Sequence, residues 1–431
     1  MQRFINPSQE KWETLCQRGS ASYTSLEPLA KEVFDEVSQK GDQALYAYTE
    51  KFDKVTLEKL SVGADEIEGA KVRVPEKLKS AIQKAKDNID LFHRAQKTNE
   101  IKVETQKGVN CWQKKLPIEK VGLYIPGGSA PLFSTVLMLA IPAQVAGCDK
   151  VVLCSPPDTN GKLPDVVLYT ADLCGIDTVF KLGGMQAIAG MTLGTETLPK
   201  VDKLFGPGNQ YVTVAKQWAT QYSVAIDMPA GPSELMVVAD ASADPAFVAS
   251  DLLSQAEHGP DSQVLFVTID RKMMDRVDAE VDRQITVLAR QDTARKALKN
   301  SKIIFFDQEE EALKFTNFYG AEHLIVCLKN EDEFVDKIKH AGSVFIGNYT
   351  PESAGDYASG TNHTLPTNGY AKAYSGVNLD SFLKNITFQE ITKEGLSTIG
   401  NTIELMAEAE GLMAHKNAVT IRLKSIGDES K

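Results

Sequence analysis

The chain has 431 residues, of which 42% are hydrophobic and 24% charged, and its formal net charge is −11. This is the balance of a soluble globular protein, too long for one core, so roughly two to four domains are expected. An acidic chain without a basic stripe is excluded as a nucleic-acid binder, because nothing would displace counterions from phosphates, and no run reaches the ~18 apolar residues of a membrane helix.

The N-terminus, Met1-Gln2-Arg3-Phe4-Ile5-Asn6-Pro7, lacks the apolar core of a secretory signal. The six cysteines form no Cys-x-x-Cys pair, and several lie in apolar runs such as Val151-Val152-Leu153-Cys154. They read as buried reduced thiols of a cytoplasmic protein, a catalytic cysteine for aldehyde oxidation being the alternative. Residues 1–20 are polar and without strong apolar period, and read as an arm. Amphipathic helices are predicted over 26–52 and 74–97, with Pro75 just inside the second start.

From about Glu119 short apolar strands alternate with helical segments. Strand 121–125 ends at Pro126-Gly127-Gly128, and helix 134–145 leads to strand 150–154. Helix 166–174 leads to strand 178–180, and Gly183-Gly184 opens a helix containing Gln186. Strand 201–205 runs into Gly206-Pro207-Gly208-Asn209, and a further helix precedes Val224-Ala225-Ile226-Asp227. After the turn Pro229-Ala230-Gly231-Pro232 the rhythm restarts with strand 235–238, helix 245–257 and strands 264–269, 303–306, 324–328 and 343–346. From about Asp380 the chain reads as mainly helical and charged. The expected fold is α/β, with two Rossmann-like parallel-sheet domains, a helical N-terminal arm (1–20) and a C-terminal helical tail (379–431). One domain spans 120–234; the other is discontinuous, 21–119 with 235–378. Ligands are expected beyond the C-terminal strand ends, where most of the glycine turns fall.

Four of the six histidines lie in acid- and glycine-rich stretches of the C-terminal half: His258, His323, His363 and His415. Imidazole and carboxylate together supply metal ligands and a base that works near neutral pH, so the pattern points to one composite metal site with a general base. Gln255 and His258 share a helix face, although a helix-end histidine facing the macrodipole is the plain alternative. Residue chemistry favours Glu257 over Gln255 as a ligand, because amide ligands to zinc are uncommon. Glu322 and His323 precede a strand, where both can enter a cleft for different proton transfers, or form a solvated turn. The small, polar stretch 352–363 reads as a functional loop in which Asp356 is a hard anionic donor. His415, with Glu408 and Glu410 upstream, gains weight only if the tail folds over a cleft, its own or a neighbouring subunit's. His93 and His340 lie on charged helices and carry no functional signal. The turns Gly127-Gly128, Gly183-Gly184 and Gly206-Pro207-Gly208 can approach phosphates, but none fits Gly-x-Gly-x-x-Gly and there is no P-loop, so a dinucleotide stays open.

Taken together, the stretches 122–128, 205–209, 227–234, 255–258, 322–324, 352–363 and Ala414-His415 resemble the histidinol dehydrogenase family, in family order over most of the chain. The resemblance implies oxidation of L-histidinol to L-histidinaldehyde and then to L-histidine, the last steps of histidine biosynthesis, with NAD and one zinc per subunit. It implies Gln255, His258, Asp356 and His415 as zinc ligands, which overrules Glu257. Glu322 and His323 become the catalytic pair, with His323 the base and Glu322 activating water for the aldehyde step. Ser233, Gln255, His258, His323, Asp356, His363, Glu410 and His415 would surround the substrate, and Tyr124, Gln186 and Asn209 the NAD. A homodimer with exchanged tails is implied, so that Glu410 and His415 come from the same or the partner chain. The rivals are a dehydrogenase of another polar alcohol, a metal-dependent hydrolase and a non-enzymatic metal-binding module.

Overall fold

A computed structural model describes residues 1–18, 23–127, 131–229 and 231–429. Gly128 and Ala230, each part of an expected turn, lie outside these residues. The chain separates into two units, Met1–Gln96 with Ile118–Phe382, and Lys97–Pro117 with Leu383–Lys431.

The larger unit holds two parallel sheets. Five strands stand in the order Thr178–Lys181, Lys150–Ser155, Lys120–Tyr124, Lys203–Phe205, Ala225–Ile226. All pair in parallel, and Val121, Leu123, Val152, Leu153 and Phe205 are fully buried, as strands covered on both faces require. The chain leaves Lys120–Tyr124 on one side and returns on the other at Lys203–Phe205, which makes a switch point beyond Tyr124 and Phe205.

The helices Glu27–Lys40 and Asp42–Asp53 complete this domain rather than the other one. Ala30, Val33, Phe34, Val37, Leu45 and Tyr48 share a core with Val152, Phe180, Ile188 and Leu204. The expected grouping of 21–119 with 235–378 is therefore not what packs: an amphipathic face encodes burial, not the identity of its partner. The helix Glu76–Ala95 buries Ile82, Ala85, Ile89 and also His93. His93 is not a surface histidine; its Nδ1 contacts the Ile89 carbonyl at 2.8 Å, and Asn362 contacts its Nε2 at 3.4 Å. Asn362 also donates to the Met138 carbonyl (2.6 Å), which fixes the segment carrying His363.

Six parallel strands form the second sheet, in the order Gln2–Ile5, Lys302–Phe305, Gln263–Thr268, Glu234–Ala239, His323–Cys327, Ser343–Ile346. The presumed arm thus supplies an edge strand, and Trp12 and Leu15 behind it pack onto Ile304, Phe306 and Phe315. Successive residues of Glu234–Ala239 alternate between two cores, Leu235 and Val237 facing one, Met236 and Val238 the other.

The smaller unit is a three-stranded antiparallel sheet, Leu383–Ile391, Val109–Pro117, Ile101–Gln106, followed by the helices Lys393–Ala409 and Met413–Glu429. Neither the hairpin 101–117 nor the strand at 383–391 was expected. Their exposed positions are filled by Lys, Glu, Gln and Asn, which dilutes the alternation; Trp112, stacked on Phe388 at 5.4 Å, shares its face with Lys102 and Lys114.

Candidate active site

Glu322 and His323 stand where the strand His323–Cys327 begins, and Ser233 adjoins the start of its neighbour Glu234–Ala239. The chemistry of this sheet therefore collects at its N-terminal edge, not beyond the C-terminal strand ends as expected. Glu322 is 5% exposed and His323 4%. The Glu234 backbone N–H donates to Glu322 Oε2 at 2.9 Å, and the Glu234 carboxylate is itself held by Arg18.

His323 is surrounded by carboxylates. Its Nδ1 lies 3.5 Å from Glu352 Oε1 and 3.7 Å from Glu322 Oε2, and its Nε2 lies 3.6 Å from Asp356 Oδ1. Residues 352–363 are not a plain loop: Glu352–Tyr357 is a short helix, so Glu352 and Asp356 share one face. Glu352 is 1% exposed and accepts from Ser254 Oγ at 3.0 Å. Burial opposes charge on His323, but the charges of Glu322 and Glu352 and the contact with Asp356 outweigh it and lift the imidazole to about 10. Burial pushes Glu322 up to about 8 and Glu352 to about 7, although His323 pulls the other way. The cluster therefore holds more protons at neutral pH than separate exposed groups would.

Gln255 lies in the last turn of the helix Pro245–Ala256, fully buried, with neither Oε1 nor Nε2 hydrogen-bonded. A buried, unpaired amide costs free energy unless a ligand satisfies it. His258 follows one turn later, its N–H closing on the Gln255 carbonyl at 3.2 Å. Burial lowers the pKa of His258 and of His363, so both are neutral imidazoles able to bind a cation. Burial also opposes charge on Asp356, but His323, His363 and His258 overcome it and hold this carboxylate below its ordinary range. His363 Nε2 contacts Thr135 Oγ1 at 3.4 Å. Gln255, His258, Glu322, His323, Asp356 and His363 thus belong to the larger unit. Glu410 and His415 belong to the smaller unit, where both are exposed. Among the described residues no three His, Cys, Asp or Glu side chains converge to hold a metal; the expected set contains an amide and a tail histidine.

A cavity of about 920 Å3 opens at the switch point of the five-stranded sheet, lined by Tyr124, Gly127, Gly184, Gln186 and Asn209 among others. Tyr124 Oη accepts from the Gly184 N–H at 3.1 Å. Asn209 Oδ1 caps the helix Gln210–Ala219 through Tyr211 and Val212, which leaves its amide nitrogen for a ligand. Gln186 is buried and its Oε1 is unpartnered. A second cavity, about 430 Å3, is lined by Ser233 and His258, and Asn209 and Tyr211 wall both. Sequence reasoning missed Glu352 and Asp53; the four-residue spacing of Glu352 and Asp356 was the available signal for the first.

A dinucleotide-sized cleft at the switch point of one parallel sheet, sharing a wall with a cavity beside buried amide, imidazole and carboxylate groups, defines an α/β oxidoreductase with donors for a cation. The family model of histidinol dehydrogenase matches residues 16–423, and the chain belongs to that family. Histidinol dehydrogenase of Bacteroides thetaiotaomicron is 56% identical over 420 residues, covering 97% of this chain and 98% of the relative. That of Escherichia coli K12 is 51% identical over 425 residues, covering 98% and 97%. The crystal structure of histidinol dehydrogenase from Elizabethkingia anophelis superposes with a TM-score of 0.97 at 55% identity, covering 99% of both chains. The family works with NAD and one zinc ion per subunit. Both fit: a buried Gln255 amide without a partner, the neutral imidazole of His258 and the Asp356 carboxylate that interacts with it are donors that suit zinc, and the unpaired Gln186 oxygen in a cavity of this volume suits a dinucleotide. Among the described residues no helix is long and apolar enough to cross a membrane.

Proposed function

We propose that Gln255, His258 and Asp356, completed by His415 of a tail, hold the zinc, that Glu322 and His323 move the protons, and that Tyr124, Gln186 and Asn209 hold NAD. The chain oxidises L-histidinol to L-histidinaldehyde and then to L-histidine in two NAD-dependent steps of histidine biosynthesis. Family membership removes the hydrolase and the binding-module rivals. The observation that carries the residue assignment is the buried Glu322–His323 pair with Asp356 against its imidazole, together with a buried Gln255 amide that has no hydrogen-bond partner.

Zinc, when bound, supplies an anchor for the substrate's imidazole and amino group, and NAD supplies the acceptor for each electron pair. Were Asp356 committed to a cation, the anionic charge against His323 Nε2 would be neutralised and the imidazole would fall toward its proton-accepting form. His323 Nε2 then takes the hydroxyl proton of histidinol as the carbinol carbon is oxidised. Glu322, held through Oε2 by the Glu234 N–H, takes a proton from water at Oε1, so that hydroxide adds to the aldehyde carbon. Once His323 has passed the first proton to solvent, the hydrate gives it a hydroxyl proton in the second oxidation and leaves as the carboxylate. Ser233, His363 and Glu410 orient the substrate.

The same reading makes the enzyme a homodimer that exchanges tails. It explains why the larger unit alone carries three of the four zinc donors. Leu405, Met406, Met413 and Ile421 on the tail helices and Leu412 between them, all exposed, supply the apolar surface such an exchange would cover. A cytoplasmic setting accords with six cysteines that are all free. His323→Asn is expected to lose both oxidations by roughly 100-fold or more, and Glu322→Gln mainly the aldehyde step. Steady-state rates with histidinol and with histidinal separate the two, and equal losses of Glu322→Gln on both would defeat the division of roles.

A further inference from the structure

The nucleotide cavity contains two carboxylates, Asp53 and Asp158, and no lysine, arginine or histidine among its described lining residues. Asp158 is spent on its own loop, where Oδ1 accepts from the N–H groups of Asn160 and Lys162, both at 2.9 Å. Asp53 is placed differently. It is the last residue of the helix Asp42–Asp53, where the helix dipole opposes a negative charge. Its Oδ2 accepts from Gln186 Nε2 at 3.2 Å, while Oδ1 abuts Gly183, just ahead of the helix Gly184–Leu193. The next residue, Lys54, turns its ammonium onto the Lys51 carbonyl at 2.7 Å instead. Burial raises the Asp53 carboxyl to about 6, which leaves it mainly ionised at neutral pH. Leu29, Phe52, Pro156 and Met185, which line the same cavity, have no side-chain donor, so Asp53 Oδ1 is open to a donor from an occupant.

The orientation of that occupant follows from the sheet order. Asn209 and Tyr211 alone wall both cavities, so the reacting nicotinamide end lies toward them. The Gly183–Gly184 turn follows the strand three places away, roughly 14 Å across the sheet. The adenosine end therefore lies toward Asp53. We infer that the Asp53 carboxylate accepts the hydroxyls of the adenosine ribose and, with no cation beside it, repels a 2′-phosphate there, so that this residue selects NAD over NADP. The inference rests on this cavity being the NAD site.

Isothermal titration of the zinc-loaded, substrate-free enzyme with NAD and with NADP tests it. For Asp53→Asn we expect NAD affinity to fall roughly tenfold and the preference for NAD over NADP to shrink by roughly tenfold to a hundredfold, as for loss of a charged hydrogen bond and of a repulsion. Asp158→Asn should leave the ratio unchanged. Equal weakening of both nucleotides in Asp53→Asn, with an unaltered circular dichroism spectrum, would mean that Asp53 only props Gln186 and would overturn the inference. A shift of the ratio by Asp158→Asn alone would overturn it as well. If Tyr124→Ala binds NAD as tightly as the wild type, the cavity itself is not the nucleotide site, and the inference fails for that separate reason.

Discussion

Glu352 and Asp356 stand four residues apart on one short helix and face opposite nitrogens of the same imidazole. Asp356 was readable as a donor from its polar surroundings, and Glu352 was not, because six residues carry too little periodicity to announce a helix. Behind them Asp251, whose carbonyl accepts from Ser254 Oγ at 2.8 Å, has its carboxyl lifted by burial to about 7, only partly relieved by the Glu352 N–H. The folded value lies above the unfolded one, near 3.8. Stability is then fullest while Asp251 keeps its proton and is lost as pH rises through about 7. Asp251→Asn escapes that loss, so its advantage over the wild type should be small at pH 4 and grow to about 4 kcal/mol at pH 8. Melting temperatures of both proteins across this range decide it; a difference that does not widen with pH would contradict the assignment.

Among the elements, the turn after Lys203–Phe205 leads to Asn209, which lines the cavity proposed for NAD. Gly206 has φ +129°, and a Cβ there would lie 2.1 Å from the Tyr124 carbonyl oxygen, a backbone atom that cannot step aside. Gly206→Ala should therefore lower the melting temperature by roughly 5 °C or more and weaken NAD binding with it. Gly147 also has positive φ (+87°) but nothing within 4 Å of a Cβ, so Gly147→Ala should cost only about 1 kcal/mol and spare NAD binding. Thermal melts and NAD titration of the pair separate local strain from general damage. Most buried strands were legible, since Val, Ile, Leu and Phe run through them without interruption. The strands 101–106 and 383–391 were not, because they are largely exposed and their polar residues imitate a surface helix.

At the scale of the molecule, the tail decides whether one chain can hold a complete site. If His415 acts on the partner, a mixture of His415→Asn and His323→Asn chains should regain activity. Neither variant is expected to be active alone, yet each mixed dimer would combine the intact core of one chain with the intact tail of the other. Random mixing makes half the dimers mixed, each with one working site, so roughly a quarter of wild-type activity should return. Unfolding and refolding the two together, then assaying NADH formation, measures this. No recovery would place His415 in its own chain's site.

Composition, periodicity and the run of motifs were enough to define an α/β enzyme with parallel sheets, to nominate the imidazole, carboxylate and amide groups, and to align the chain with its family. These properties are local: each depends on residues within a turn or a strand of one another. Which sheet the helices 27–53 cover, the use of the N-terminal edge of the six-stranded sheet, and the meeting of Glu352 with His323 came only from the tertiary structure. Hydrophobic burial is non-directional, so an apolar face specifies that it must be covered without specifying by what. A carboxylate acquires its proton affinity and its task only from the groups that packing brings against it.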